Sequence, residues 1–440
     1  MPVSHVVIGS GIAAISAAEA IRSADPGARV TMISAEPYPF YSRPALPRLL
    51  AGETSEALLS IRSAKQIEAL ALERLVTHVR AIDPGRHLVT VTDGRTLAYD
   101  RLLIATGAET IPLGLPGASL RGVVQLDGAR DASRMLELAR GGRAAVVVGG
   151  GSTALEIAEG LHARGLVTHY LMRGVRYWQR VLDVVESEVV ERRLAAEGVQ
   201  LHRNTSLSRA VGVDGRLVAV ETTGGVRIEC DVLGVSSGVR PRADLAMAAG
   251  IRVDRGVLTD EYLQTSAQDI FAAGDVAQVP DEPGGRATLD TLWASAEVQG
   301  KSAGQNMTGA KARHVKHAAV NVTRLAGIAT TIAGAVGGAT DPDLLTLTRG
   351  QSERWDADDG ATAVAGHSGD DRLRLVLRDG VVIGVVAMGV ELVERPLTRL
   401  IGRRVDVATV CAAREAAPNV ALEILCTYCN ALLGGDSTAP

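Results

Sequence analysis

Val6-Val-Ile-Gly-Ser-Gly-Ile-Ala-Ala14 and Val146-Val-Val-Gly-Gly-Gly-Ser-Thr-Ala154 decide the fold. In each, an apolar β-rich run meets a glycine cluster, and a helical stretch follows. Gly9, Gly11 and Ala14 map onto Gly149, Gly151 and Ala154 with one constant offset of 140 residues. An internal repeat of this kind is the strongest organisational signal in the chain. Around the first copy, residues 3–8 read as a buried strand, 15–22 as a helix and 28–33 as the next strand. Around the second, 144–148, 155–164 and 166–172 read the same way, which is βαβ spacing. A glycine pattern between strand and helix lets the backbone approach a pyrophosphate. The helix N-terminus then supplies free N–H groups and a partial positive charge. One such pattern would equally suit a helix packed closely on a strand with nothing bound. Two copies point to two dinucleotide sites, hence to two different dinucleotides and internal hydride transfer.

The 440 residues suggest about three domains. There are 46 basic and 50 acidic residues, and the formal charge of −4 gives no reason to expect a nucleic-acid or anionic-membrane partner. Trp178, Trp293 and Trp355 are too scattered for a base-stacking platform. No signal peptide is visible, and the apolar stretch 326–338 is too short and glycine-rich to span a bilayer, so a cytoplasmic protein is expected. Four cysteines exclude a disulfide-built scaffold.

Between the repeats lie a helical stretch (55–71) and a hairpin-like region (88–99) turning at Asp93-Gly94. Pro112, Gly114, Pro116 and Gly117 read as a linker, and Gly238-Val-Arg-Pro241 as a second boundary. Residues 270–276 read as a buried strand ending in Gly274-Asp275, and 292–307 as a helix. Further on, 372–377 and 381–388 form an antiparallel hairpin around Asp379-Gly380. The tail reads as a separate α+β domain.

Five motifs in order resemble the flavoprotein pyridine-nucleotide oxidoreductases with two dinucleotide-binding domains. They are VVIGSGIAA (6–14), LLIATGA (102–108), VVVGGGSTALEIA (146–158), IFAAGDVA (270–277) and LWASAEVQGKSAGQN (292–306). The resemblance covers about residues 3–310 and, more loosely, extends to 405. Glu36-Pro-Tyr-Pro-Phe-Tyr-Ser-Arg-Pro-Ala-Leu46 resembles the ferredoxin, rubredoxin and nitrite reductase branch. The disulfide-reductase branches carry redox cysteines in this region. This chain has no cysteine before Cys230, so a cysteine-based mechanism there lacks its nucleophile.

The resemblance implies an α/β fold: two Rossmann-like three-layer dinucleotide-binding domains of the glutathione-reductase type plus a C-terminal α+β domain. FAD would occupy residues 1–112 and 241–312, NAD(P) residues 113–240, and an interface domain residues 313–440. FAD contacts are implied for Gly9, Gly11, Ile12, Ala13 and Ala14, then Val79, Ala105, Thr106 and Gly107, then Gly274, Asp275 and Trp293. NAD(P) contacts are implied for Gly149, Gly151, Ser152, Thr153, Ala154, Arg173 and Gly238. Glu36 lies 27 residues after Gly9, suited to a ribose hydroxyl pair, with a solvated loop carboxylate as the alternative. Arg43 would meet flavin phosphate or ring edges, or stand on the surface. Asp275 would contact a ribityl hydroxyl, or cap a helix. The helix beginning near Leu292 would aim its dipole at the flavin's pyrimidine edge.

The branch places a Lys and a Glu near flavin N5 at the positions of Arg48 and Glu156. An arginine cannot donate a proton at neutral pH, so an Arg48–Glu156 pair would be electrostatic and gating. A helix-surface carboxylate is the alternative for Glu156. No acid stands about 20 residues past the second glycine motif. Arg173 and Arg176 lie nearby and could meet a 2′-phosphate, or form a solvated loop. NAD is the nominal nucleotide and NADP stays open. His314 and His317 read as a solvated linker and not as metal ligands.

Cys230 reads as a core residue. Cys411, Cys426 and Cys429 cluster late. Three cysteines fall one short of a closed Cys₄ site, and the run 421–433 could instead be a helix packing Cys426 and Cys429 inward. The sequence therefore leads to an FAD-dependent NAD(P)H oxidoreductase exchanging electrons with an iron–sulfur, ferredoxin or rubredoxin-type protein. It would be a homodimer or a subunit of a larger complex, a tungsten- or molybdenum-dependent dehydrogenase being one setting. The alternatives are a thiol-dependent reductase using Cys426 and Cys429, and a non-catalytic flavoprotein assembly subunit.

Overall fold

The repeat becomes two parallel sheets built on one plan. In the first, strands run in the order Ile270–Ala272, Arg101–Ile104, Ser4–Ile8, Arg29–Ser34 and Glu73–Val76, all parallel. In the second the order is Val123–Gln125, Val232–Val235, Ala144–Val148, Val167–Leu171 and Gln200–His202, again all parallel. The central strands are largely buried and carry consecutive apolar residues at 6–8 in the first sheet and 144–148 in the second, as burial on both faces demands. These relations come from a computed structural model that describes residues 2–282, 284–337, 347–356, 360–390, 397–404 and 421–434. Two short antiparallel strands, Ala108–Thr110 and Val239–Pro241, run side by side where the chain passes between the sheets.

The first glycine motif opens helix Ile12–Ala24 and the second opens helix Ser152–Ala163. Methyl groups at Gly9 and Gly149 would overlap the carbonyl oxygens of Ala105 and Ser236 on the neighbouring strand's exit. Both glycines also have positive φ, +123° and +149°, which L side chains rarely adopt. The chain can therefore turn from strand to helix only without a side chain at these points.

Helix Trp293–Met307 lies against helix Ile12–Ala24 through small residues. A methyl group at Gly300 would overlap the carbonyl of Ala13, and one at Gly304 the carbonyl of Ala17. Four residues apart, these glycines share one helix face and let the two backbones touch.

The tail forms a third domain. Its five-stranded antiparallel sheet runs Val320–Leu325, Ile328–Gly334, Val381–Met388, Asp371–Arg378 and Thr362–Ser368. Helix Ala421–Gly434 covers this sheet. Buried arginines tie the domain to the second sheet. Arg374 donates to both carboxylate oxygens of the fully buried Glu186 (2.8 and 2.9 Å) and to the carbonyls of Val181 and Val336. Glu353 ties the domain to the first unit by accepting from Arg255 and from the Leu289 amide.

The expected fold class and both hairpins are present. The stretch 55–71 is not one helix. A 3₁₀ turn, Glu56–Leu58, is followed by a separate helix, Ala64–Ala69. Ser63 and Gln66 form a reciprocal cap that starts the second helix afresh.

Alanine normally stabilises a helix interior relative to glycine by about 1 kcal/mol. Gly300→Ala should instead destabilise this protein by about 1–3 kcal/mol through overpacking against Ala13. Urea unfolding followed by far-UV circular dichroism reads the sign.

Candidate active site

A cavity of about 1270 Å³ lies where the three domains meet. That exceeds the volume of a typical single-ligand pocket. The first unit contributes Gly9, Gly11, Ile12, Ala13, Glu36, Arg43 and Val79, the 105–107 turn, and Gly274, Asp275 and Trp293. The second contributes Asp127, Ser152, Thr153, Glu156 and Glu159. The third contributes Asn321, Thr323, Arg324 and Arg349. Most residues expected at a flavin thus line one wall, and Arg48 lines the same space. Ala14, Gly149, Gly151, Ala154, Arg173 and Gly238 lie off this wall. Ala14 and Ala154 are fully buried, filling the place where the motif needs close helix–strand packing.

The first glycine loop suits a dinucleotide. A methyl group at Gly11 would meet nothing within 4 Å, so the loop backbone faces open cavity at the start of helix Ile12–Ala24. Glu36 is pre-positioned: Arg43 donates to Oε1 (2.7 Å) and the Tyr41 hydroxyl to Oε2 (2.9 Å). Arg43 also lies 5.4 Å from the Tyr41 ring centroid and donates to the Asp127 carbonyl. Thr106 donates its hydroxyl to the Arg242 carbonyl, fixing the 105–107 turn. Trp293 stands beside Phe40, with ring centroids 6.3 Å apart.

Two expected contacts take a different form. Arg48 does not pair with Glu156 but with Glu53 (3.5 Å). The Glu53 amide donates to the Arg48 carbonyl, so the end of the short helix Leu46–Ala51 folds this acid back onto the arginine. Glu156 takes Thr323 as its hydrogen-bond partner instead. Arg173 is exposed beyond strand Val167–Leu171. Arg176 directs its guanidinium to the carbonyls of Gln179 and Leu182 and not outward.

Sequence reasoning missed several members. Glu159 sits one turn beyond Glu156 on the same face, a spacing that could have revealed it. Burial pushes Glu156 up to about 8, with Glu159 adding to the shift. Burial pushes Glu159 up to about 7, helped by Glu197. Asp127 and Arg349 carried no sequence signal. Arg349 donates to Asp127 (2.7 Å) and lies 3.8 Å from Asp275. Burial pushes the Asp127 carboxyl up, but Arg349 and the Thr110 hydrogen bonds outweigh it and hold the group below its ordinary range. Burial raises Asp275, against the opposing pull of Arg349 and Arg43.

The late thiols face the third domain's core. Cys429 is fully buried and Cys426 half-buried beside it, both free. Burial pushes Cys429 up to about 12 and raises Cys426, so neither is a ready thiolate. Cys411 lies outside the described residues. Cys230 is a buried core residue, as expected.

A family model described as pyridine nucleotide-disulphide oxidoreductase matches residues 3–300. The chain is 32% identical over 405 residues to the ferredoxin–NAD(+) reductase component of the biphenyl dioxygenase system of Paraburkholderia xenovorans (strain LB400), covering 91% of this chain and 94% of that one. It is 31% identical over 274 residues to a rubredoxin–NAD(+) reductase of Pseudomonas putida, covering 62% and 71%. Among solved structures, the covalent putidaredoxin reductase–putidaredoxin complex matches with a TM-score of 0.80 at 23% identity, over 97% of this chain and 98% of that one. At that identity the likeness speaks for the fold.

A carboxyl whose pKa rises on folding binds a proton in the native state that the unfolded chain releases. Glu156 should therefore lower stability as pH climbs from its ordinary 4.5 through about 8. Glu156→Gln removes that titration. Its melting temperature should exceed the wild type's by more at pH 8.5 than at pH 5.5, and an equal difference at both pH values would contradict the burial of this acid.

Proposed function

The chain belongs to the pyridine nucleotide-disulphide oxidoreductase family, and from that premise we propose that it passes electrons between a nicotinamide nucleotide and an iron–sulfur or rubredoxin-type protein. It is an FAD-dependent NAD(P)H oxidoreductase. When bound, FAD supplies the conversion between two-electron hydride chemistry and single-electron transfer.

One observation carries the reading. A single cavity joins the open first glycine loop and Asp275 on one side to Ser152, Thr153 and Glu156 on the other. Both ligands can meet there without a thiol relay, since the described cysteines lie outside the cavity lining. The chain's own residues hold and orient. Gly11 and the first turn of helix Ile12–Ala24 would receive the FAD pyrophosphate. Glu36, fixed by Arg43 and Tyr41, would meet a ribose, and Asp275 the ribityl chain. Glu156, kept protonated by burial near neutral pH, would offer a neutral hydrogen-bond partner to the nicotinamide side.

The ferredoxin– and rubredoxin–NAD(+) reductase relatives support a protein acceptor of the same chemistry. We take NAD as the nucleotide, with NADP as the alternative that exposed Arg173 would favour. Residues 1–112 with 241–312 would form the FAD domain, 113–240 the NAD(P) domain and the remainder an interface domain. The three cysteines among the described residues are free thiols, which suits a reducing, cytoplasmic setting. Membership of a larger dehydrogenase complex is an extension of the same reading.

Anaerobic mixing of the FAD-loaded protein with NADH, and separately NADPH, should bleach the flavin absorbance. Reoxidation by a ferredoxin or rubredoxin should then restore it. Cys429→Ser should leave both rates within about twofold, because that thiol is buried and protonated. A yellow protein that neither nucleotide bleaches would point to an assembly subunit, and loss of activity in Cys429→Ser to a thiol mechanism.

A further inference from the structure

The two glycine loops match in construction and differ in what stands over them. Gly9 and Gly149 make the same close approach to a neighbouring carbonyl. Gly11 and Gly151 both precede a helix in extended conformation with no side-chain cap. The second glycine of such a loop exists so that the backbone can approach a pyrophosphate. At Gly11 that space is open. At Gly151 a methyl group would lie 2.5 Å from Thr348 Oγ1, 3.0 Å from its Cβ and 3.2 Å from its Cγ2. A residue of the third domain already stands there.

Thr348 is held by its backbone. Its amide donates to Gln351 Oε1 (3.0 Å), and its carbonyl accepts from the Thr291 hydroxyl (2.9 Å). The flanking residues are also fastened. The Val239 amide donates to the Leu347 carbonyl, Ser152 donates its hydroxyl to the Arg349 carbonyl, and the Gly350 amide donates to the Thr291 carbonyl. Thr348 is 5% exposed, and its buried hydroxyl has no hydrogen-bond partner among the described residues. It acts as bulk over the loop, not as part of a bonded network. Beneath it, Ser152 and Thr153, the first turn of the second glycine helix, are buried.

We propose that Thr348 sets the affinity of the nicotinamide-nucleotide site by occupying the seat of the nucleotide's pyrophosphate over Gly151, so that the nucleotide binds by displacing the segment 347–351. This rests on the oxidoreductase reading above. The displacement has a consequence at the other site. Arg349 moves with the segment, and its contacts with Asp127 and Asp275 change when the nucleotide arrives. The second site is thus coupled to the flavin wall through one short stretch of the third domain.

Equilibrium titration of the FAD-loaded chain with NAD⁺ and NADP⁺, followed by calorimetry, tests this without turnover. Thr348→Ala removes most of the obstruction and should tighten nucleotide binding roughly tenfold, since less of the protein need be driven into a competent state. Thr348→Val keeps the bulk, loses only an unpartnered hydroxyl, and should stay within about twofold of wild type. Unchanged binding in Thr348→Ala, or weaker binding in both variants, overturns the proposal, the second result making the hydroxyl a nucleotide contact. Hydrogen exchange on the wild type gives a reading independent of any variant. Saturating NAD⁺ should speed exchange at the Gly350 amide, and slower exchange would overturn the proposal. If neither wild type nor Thr348→Ala binds either nucleotide, the oxidoreductase reading itself fails and the proposal falls with it.

Discussion

The whole arrangement hangs on two places where a backbone carbonyl presses against a glycine. Ala105 closes on Gly9 and Ser236 on Gly149, each leaving no room for a side chain. Because the neighbouring strand exits directly over the turn, the helix that follows must begin at the end of the sheet. Its unpaired N–H groups then face the space beyond the strands. Glycines at 300 and 304 extend the principle to a helix pair, bringing Trp293 and its helix N-terminus close to the first loop.

A second constraint is electrostatic and holds the third domain in place. Glu186 is fully buried, which is tolerable because Arg374 meets both its oxygens, Arg372 and the Asp183 amide donate to it as well, and two carbonyls complete the bonding of Arg374. Glu353 plays the same part towards Arg255 and the first unit. Clamped to both neighbours, the third domain delivers Thr348 over the second glycine loop and Arg349 into the cavity. It shapes the site without contributing to either glycine motif. Inside the cavity burial raises Glu156, and Asp275 even against Arg349, while Asp127, which has the Thr110 hydrogen bonds besides Arg349, is held low.

Much of this was legible from local chemistry. The doubled glycine pattern, the alternation of apolar runs with helical stretches, the Asp-Gly turns and the helix at 293–307 are each specified by residues close together in the chain. The cysteine argument also held at the level of local signal: an apolar run around Cys426 and Cys429 is a helix with its thiols turned inward. The departures are local as well, and lie in side-chain hydrogen bonds and ion pairs that apolar periodicity does not report. Ser63 and Gln66 restart a helix that composition alone would continue. Arg48 turns to Glu53 because of how a short helix ends, and Arg176 to two nearby carbonyls.

The sequence by itself therefore determined the two dinucleotide-binding units, their order and the family's chemistry. Those depend on backbone conformations that only particular residues at fixed spacing can adopt. Only the tertiary structure decided which charges meet in the cavity and what stands over each glycine loop. Gly11 and Gly151 are equivalent in sequence, yet one faces open space and the other lies under Thr348, nearly 200 residues away. Side-chain packing between distant segments leaves no periodic trace along the chain, so no local pattern could have distinguished the two.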